Sequence, residues 1–407
     1  MSGRTLLFDK SLEKITFTFH YAGLLLDTKT KTFKEKIKTR CIYLLNISWA
    51  GFDVTGSIYW FIDGIMKGKR FIDLTYIAPC IGLSSLAFLK AIILTVNEKR
   101  VDELIDSIRY LESTEKQSEI VEKKESIIAD ERRFLNNIIN TLNIFNVIMI
   151  VTFSSCPLVL MLIEYLKTKE FELMLPFLVV YPFNSYDIRY WPFVYMHQFW
   201  SGCVVMLDTY SADYLLFTFC TYIRIHFRLL QYDMGNIIPG LGNNTAISFR
   251  DEVFKNKFVN LVKRHQMCIR SVYLLEAIYT KSILYNFLSS SILICLTGFN
   301  VVAIEDMALI FTFLIFLSTC LLQVYLLCFF GDMLMQSSTA VCDAAYNCSW
   351  YSADAVIGKS MLIVLTRAQK PCKLTAMGFA DVNLMAFTSI LRNSWSCFCL
   401  LNTMYTP

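Results

Sequence analysis

Seven runs of mostly apolar residues mark out the chain: Cys41–Gly64, Phe71–Val96, Leu135–Leu166, Pro192–Tyr222, Ile278–Val302, Met307–Phe330 and Phe379–Leu401. Each reaches the roughly 17–25 residues needed to cross ~30 Å of hydrocarbon. Each must be a helix, because an isolated strand in lipid leaves its backbone N–H and C=O groups without partners. Between the second and third runs, Val101, Leu104, Ile105, Ile108 and Leu111 recur at helical spacing among many charges. That pattern predicts that the second and third spans continue beyond the membrane as helices, the alternative being a solvated charged loop. Ser352–Gln369 predicts a further helix, stopped by Pro371, and Gly235–Asn244 is rich enough in Gly, Asn and Pro to read as a disordered turn region.

Composition turns these runs into a fold class. The chain is 55% apolar and 18% charged, against about 45–50% and about 25% for a soluble domain. No Pro/Gly/Ser linker divides its 407 residues. The expected fold is an all-α membrane protein with seven transmembrane helices. The polar opening Met1–Thr5 does not read as a signal peptide, so the first span is the first membrane crossing. Most of the 14 cysteines lie inside apolar runs and no C-x-x-C pair occurs, so they read as small apolar residues. With four scattered histidines, no metal and no cofactor is expected. The net charge of +4 comes without a basic stripe that would bind nucleic acid.

Charge also sets the orientation. Of 38 basic residues, 29 fall in Met1–Arg40, Asn97–Arg133, Ile223–Leu275 and Gly331–Gly378, and only six in the opposite loops. Lys29, Lys31, Lys34, Lys36, Lys38 and Arg40 stand directly beside the first span. Basic residues stay on the cytoplasmic side, which places the N-terminus inside and, after seven spans, the C-terminus outside. That is the inverse of a G-protein-coupled receptor, and the Asp-Arg-Tyr triplet of that family is absent after span three.

The last part of the chain carries a resemblance. Phe329-Phe330-Gly331-Asp332, Ser337-Ser338, Ala344-Ala345-Tyr346 and Trp350 are followed by Arg367 to Pro371, Leu374-Thr375-Ala376 and Phe387 to Leu391. This order resembles the sixth and seventh helices of insect odorant receptors, as do Tyr181-Pro182-Phe183 and Gln198 upstream. Two departures are Met377-Gly378-Phe379, where the family often has Gly-Lys-Phe, and Trp395 with Cys397 where tyrosines are common. The loop between spans four and five, about 53 residues, is too short for the insertion of the family's co-receptor. A gustatory-type receptor channel is the nearest alternative, and a metabotropic seven-span receptor a more distant one.

The resemblance implies a ligand-tuning subunit of an odorant-gated, non-selective cation channel. It would form a heterotetramer with the odorant receptor co-receptor in the plasma membrane of olfactory sensory neuron dendrites. The chain divides accordingly into a cytoplasmic N-terminus (1–40), helices one to six with an outer-half ligand pocket (41–330), a cytoplasmic anchor segment (331–378), and a pore-lining helix with a short tail (379–407). Pocket candidates for a volatile or lipophilic ligand are Ile77, Ile81, Ser154, Ser155, Leu158, Tyr195, Phe199, Cys203, Met206, Leu293, Thr297 and Phe299. Alignment on the Ser389-Ile390-Leu391 motif makes Leu400 and Met404 candidates for a hydrophobic gate, with Asn402 and Thr403 facing the adjoining vestibule.

Charged residues inside spans are costly. Asp53 and Asp208 are expected to pair within the bundle, the alternative being to orient a polar ligand. Lys90, Glu276 and Lys281 are expected near the inner boundary, where long side chains reach water. No Walker loop, H-E-x-x-H or G-x-S-x-G occurs, so no enzyme is expected.

Overall fold

A computed structural model describes residues 6–116, 122–170, 172–238 and 251–405. Its helices, in chain order, are α1 (Leu7–Ala22), α2 (Phe33–Met66), α3 (Phe71–Thr75), α4 (Ala78–Val96), α5 (Glu98–Lys116) and α6 (Glu122–Thr168). They continue with α7 (Trp191–Gly235), α8 (Glu252–Ala303), α9 (Met307–Asn347), α10 (Ala355–Ala368) and α11 (Leu384–Tyr405). Among the described residues, six segments are long and apolar enough to cross a membrane: 73–96, α6, α7, α8, α9 and α11. The first predicted span lies in α2, which is more polar and buries Asn46 and Asp53 against the bundle. The turn region at Gly235–Asn244 falls largely outside the described residues.

Local chemistry sets the helix ends. Thr32 and Glu35 form a reciprocal capping box at the start of α2. Asp251, Asp306 and Asp354 accept first-turn N–H groups of α8, α9 and α10. Gly23, at φ 77°, ends α1 in the left-handed region that an L side chain resists.

Two spans depart from the sequence expectation. Span two is not continuous, because it breaks between α3 and α4 at Tyr76–Ile77, just before Pro79. Proline has no N–H for the carbonyl four residues back and clashes with it. That carbonyl, on Thr75, instead accepts from the buried Asn300 Nδ2 at 2.9 Å. Span seven begins at Leu384 and not at Phe379. Residues 374–382 form a short hairpin whose Ala376–Phe379 turn has φ 52° at Met377 and φ 78° at Gly378. Positive φ at both central positions is the type I′ geometry that joins antiparallel segments. Asn383 Oδ1 then accepts from Ala386 N at 2.9 Å and starts α11.

On the side that the charge count assigns to the cytosol, α7, α8 and α9 run well past their predicted apolar stretches. α1 and α5 pack onto them. Val101, Leu104, Ile105, Ile108 and Leu111 are all buried, so the charged segment is a helix of the core and not a solvated loop. α1 buries Phe8, Leu12, Ile15, Phe19 and Ala22, and Glu112 of α5 accepts from its first free N–H groups, Leu7 at 2.6 Å and Phe8 at 3.0 Å. Lys124 and Arg264 each bridge Glu115 and Asp233, tying α5, α6, α7 and α8 together. Burial pushes the Glu98 carboxyl above its usual range, opposed by Arg40 2.6 Å away.

The orientation has a direct check. Asn347-Cys348-Ser349 is an N-glycosylation sequon at the end of α9, and Asn347 is exposed. Access is therefore not limiting, and only the side of the membrane decides whether it is modified. The second sequon, Asn243 to Thr245, lies outside the described residues. In cells the protein is expected to show no endoglycosidase-sensitive mass shift. A shift that Asn347→Gln removes would invert the topology.

Candidate ligand cleft and the open face of the last helix

In the outer half of the bundle, α2, α4, α6, α7 and α9 enclose a half-open cleft. Its walls are mainly apolar, including Ala50, Val54, Met149, Phe153, Phe177 and Phe316. Five of the predicted residues line it: Ile81, Ser154, Phe199, Cys203 and Met206. Tyr195 stands beside it, donating its hydroxyl to Ser154 O. That carbonyl adjoins Phe153 O, which Pro157 leaves without its helical donor.

The other predicted residues lie elsewhere. Leu158 is exposed on α6 and Ser155 is half-buried. Ile77 is buried at the break between α3 and α4. Leu293 fills the space over Gly82, where a Cβ would come within 2.8 Å of it. Thr297 is buried in α8, and Phe299 packs edge-on against Phe71 at 5.8 Å and Tyr405 at 6.2 Å. These three belong to the seam of α8 with α3, α4 and α11. Sequence could not separate the two faces of α8, because both are apolar.

A strap, residues 172–190, closes the cleft from outside. Gln198 accepts from Phe177 N at 2.9 Å and donates to Phe177 O at 3.1 Å. Trp191 Nε1 donates to Met174 O at 2.9 Å, and Tyr181 donates its hydroxyl to Asp53 Oδ1 at 2.6 Å. Gly56 lets the strap approach, since a Cβ there would meet Val179 Cγ1 at 2.5 Å and Val180 O at 2.9 Å. Asp53 is therefore paired, as expected, with His197 Nδ1 a further 3.1 Å from its Oδ1.

The charges deeper in the bundle depart from expectation. Lys90 does not reach toward water. It is buried and held by both oxygens of Asp213, at 2.7 and 2.9 Å, and Gln323 Nε2 donates to Asp213 Oδ2 at 2.7 Å. Asp208, expected to pair, is 1% exposed and neither carboxylate oxygen has a hydrogen-bond partner. Glu276 accepts from Thr375 Oγ1 at 2.7 Å, whereas Lys281 is exposed.

α11 has two unlike faces. Ile390 and Ser394 are buried against the bundle. Thr388, Arg392, Ser396, Cys399 and Thr403, spaced three and four apart, are exposed on the opposite side. Leu400 is 62% and Met404 66% exposed beside that stripe, while Asn402 is half-buried toward the bundle.

The family model described as 7tm Odorant receptor matches residues 74–395, most of the chain. The chain belongs to the insect odorant receptor family. It is thus a multi-pass membrane receptor and not an enzyme. Relatives of this odorant receptor include the Drosophila melanogaster putative odorant receptor 92a, 27% identical over 86% of the chain and 84% of the relative. Odorant receptor 67c of the same species is 25% identical over 87% and 85%. The fold is that of the olfactory receptor OR5 of Machilis hrabei, solved in complex with eugenol, with TM-score 0.80 and 14% identity over 98% of both chains.

The signature residues of this odorant receptor act together to hold the hairpin that leads into α11. Gly331 gives the room, since a Cβ there would come within 2.3 Å of Val382 O. Ser338 Oγ accepts from Cys372 N at 2.9 Å. Thr280 of α8 donates to Thr375 O at 2.9 Å and accepts from Met377 N at 2.8 Å.

Proposed function

We propose that this odorant receptor is the odorant-tuning subunit of a ligand-gated, non-selective cation channel, assembled as a heterotetramer with the odorant receptor co-receptor. Its seat would be the plasma membrane of olfactory sensory neuron dendrites. The observation that carries the reading is the open face of α11. A helix facing lipid would not present Thr388, Arg392, Ser396 and Thr403 on its exposed side. Facing water at the centre of an assembly, those groups are solvated, and Leu400 with Met404 supplies an apolar constriction that closes by dewetting. Asn402 and Thr403 would adjoin the outer vestibule.

Assembly has a surface available to it. Val356, Leu362 and Ile363 on α10 in the anchor segment, and Phe379 and Met385 just after it, are exposed apolar side chains. The outer cleft suits a volatile, lipophilic ligand, being concave, mainly apolar and sparsely polar. A ligand that favours one arrangement of the cleft's helices shifts the channel between states by its differential affinity.

Whole-cell recording tests this. Odorant-evoked current is expected only with the co-receptor present, and unchanged when G proteins are blocked. Leu400→Ser, at matched surface level, is expected to add resting leak or alter the permeability ratio. The effect should be partial, since co-receptor subunits keep their own apolar residues. Currents that need GTP would sink the channel reading, and an inert Leu400→Ser would sink the placement of the gate.

A further inference from the structure

We propose that the cleft selects lipophilic molecules bearing one hydroxyl group, an alcohol or a phenol, held between Asp53 and Ser201. This rests on the reading of the cleft as the odorant site. Most polar groups along its walls are already engaged. Ser84 Oγ donates to Cys80 O at 2.9 Å, and Gln198 is bound at both ends to the strap. Two fully buried polar atoms on its walls have no regular hydrogen bond. Asp53 Oδ1 accepts from Tyr181, with His197 Nδ1 3.1 Å away, but its Oδ2 is buried without a hydrogen-bond partner. Ser201, one helical turn after His197, turns its hydroxyl toward the same carboxylate, but the two form no hydrogen bond of regular geometry and Ser201 Oγ has no other partner. Both residues line the cleft and both are more than nine-tenths buried.

A buried polar atom left without a partner costs about 1–3 kcal/mol, so the pair favours whatever satisfies it. A hydroxyl satisfies both atoms at once: its O–H donates to Asp53 Oδ2 and its oxygen accepts from Ser201 Oγ–H. An ether or ester only accepts, and sets its lone pairs against the carboxylate. An ammonium can donate to both oxygens, but must shed its strong hydration to enter a mainly apolar cleft. The strap holds the carboxylate in place through Tyr181, so the site is fixed before a ligand arrives.

The test uses the receptor with its co-receptor in recorded cells. The probes are matched triplets: 1-octanol, octyl methyl ether and octylamine, then 2-phenylethanol, its methyl ether and 2-phenylethylamine. In wild type the alcohol is expected to lead each triplet, with the ether weaker by about tenfold in half-maximal concentration. In Asp53→Asn, Tyr181 keeps the amide oxygen turned toward it, so the NH₂ group replaces Oδ2. The preference should then move toward the ether. Ser201→Ala should shrink the ratio without removing the ether response. An ether as potent as its alcohol, an amine that ranks first, ratios unchanged in both variants, or silence to all six probes each overturns the proposal. Cys203→Trp, which fills the cleft, separates the choice of site from the choice of ligand. Responses that survive it refute the cleft as the odorant site. Responses that it abolishes, with an alcohol-to-ether ratio near one in wild type, refute only the hydroxyl.

Discussion

Asp213→Leu is expected to cost this receptor about 3–5 kcal/mol, because it strands the Lys90 ammonium in the bundle. Lys90 is 2% exposed and both its close contacts are to Asp213. The pair is not expected to be worth that much in itself. Replacing a buried ion pair with apolar residues of similar volume is often neutral, so Lys90→Met/Asp213→Leu should recover most of the loss. The remainder reports Gln323, whose Nε2 loses its acceptor, and adding Gln323→Leu should remove it. The measurement is the midpoint of heat-induced loss of the assembled receptor from solution in detergent, read by size exclusion for each variant. If the single changes simply add in the double, to within about 0.5 kcal/mol, the three side chains do not act as a unit.

The position of this triad relative to the cleft follows from helix geometry. Lys90 is seven residues beyond Leu83, Asp213 seven beyond Met206, and Gln323 seven beyond Phe316. Leu83, Met206 and Phe316 line the cleft. Seven residues return nearly to the same face, about 10 Å further along each helix. The triad thus joins α4, α7 and α9 directly beneath the cleft floor.

The sequence exposed the helices more fully than their partners. Seven apolar runs and the stripe from Val101 to Leu111 are local signals, and they located the spans and α5. α1 was equally available, in Phe8, Leu12, Ile15, Phe19 and Ala22, but the interleaved Asp9, Lys10, Glu13 and Lys14 make the segment look like a solvated tail. The ion pair could not be read, because Asp213 lies 123 positions from Lys90. Asp208 and Asp213 differ by five positions, which turns them by about 140° around one helix, and hydropathy cannot tell which meets a lysine. The same limit explains the cleft. Ile81 and Phe199 line it while Thr297 and Phe299 do not, although all four sit in apolar runs. The start of span seven was misplaced because Phe379 and Ala380 are apolar, yet Met377 and Gly378 turn the chain back before α11 can begin.

That turn makes Gly331 a position where the smallest substitution should have a large structural effect. An alanine Cβ would lie 2.3 Å from Val382 O, and also 2.7 Å from Val382 Cγ1. The carbonyl is backbone, so no rotamer change relieves the contact. Val382 is buried and its N–H is fixed to Leu374 O at 2.9 Å. Either α9 or the hairpin must move, and the hairpin carries α11 with it. Overpacking of this kind costs about 1–3 kcal/mol, and Gly331→Val should cost more. Gly358 on α10 is the control, because nothing lies within 4 Å of its added Cβ. Gly358→Ala should be neutral or stabilising by about 0.5–1 kcal/mol, since alanine loses less freedom in a helix. The expected outcome is a lower heat-inactivation midpoint and loss of odorant-evoked current in Gly331→Ala, with both intact in Gly358→Ala. Equal behaviour of the two variants would show that the hairpin does not fix the last helix through this contact.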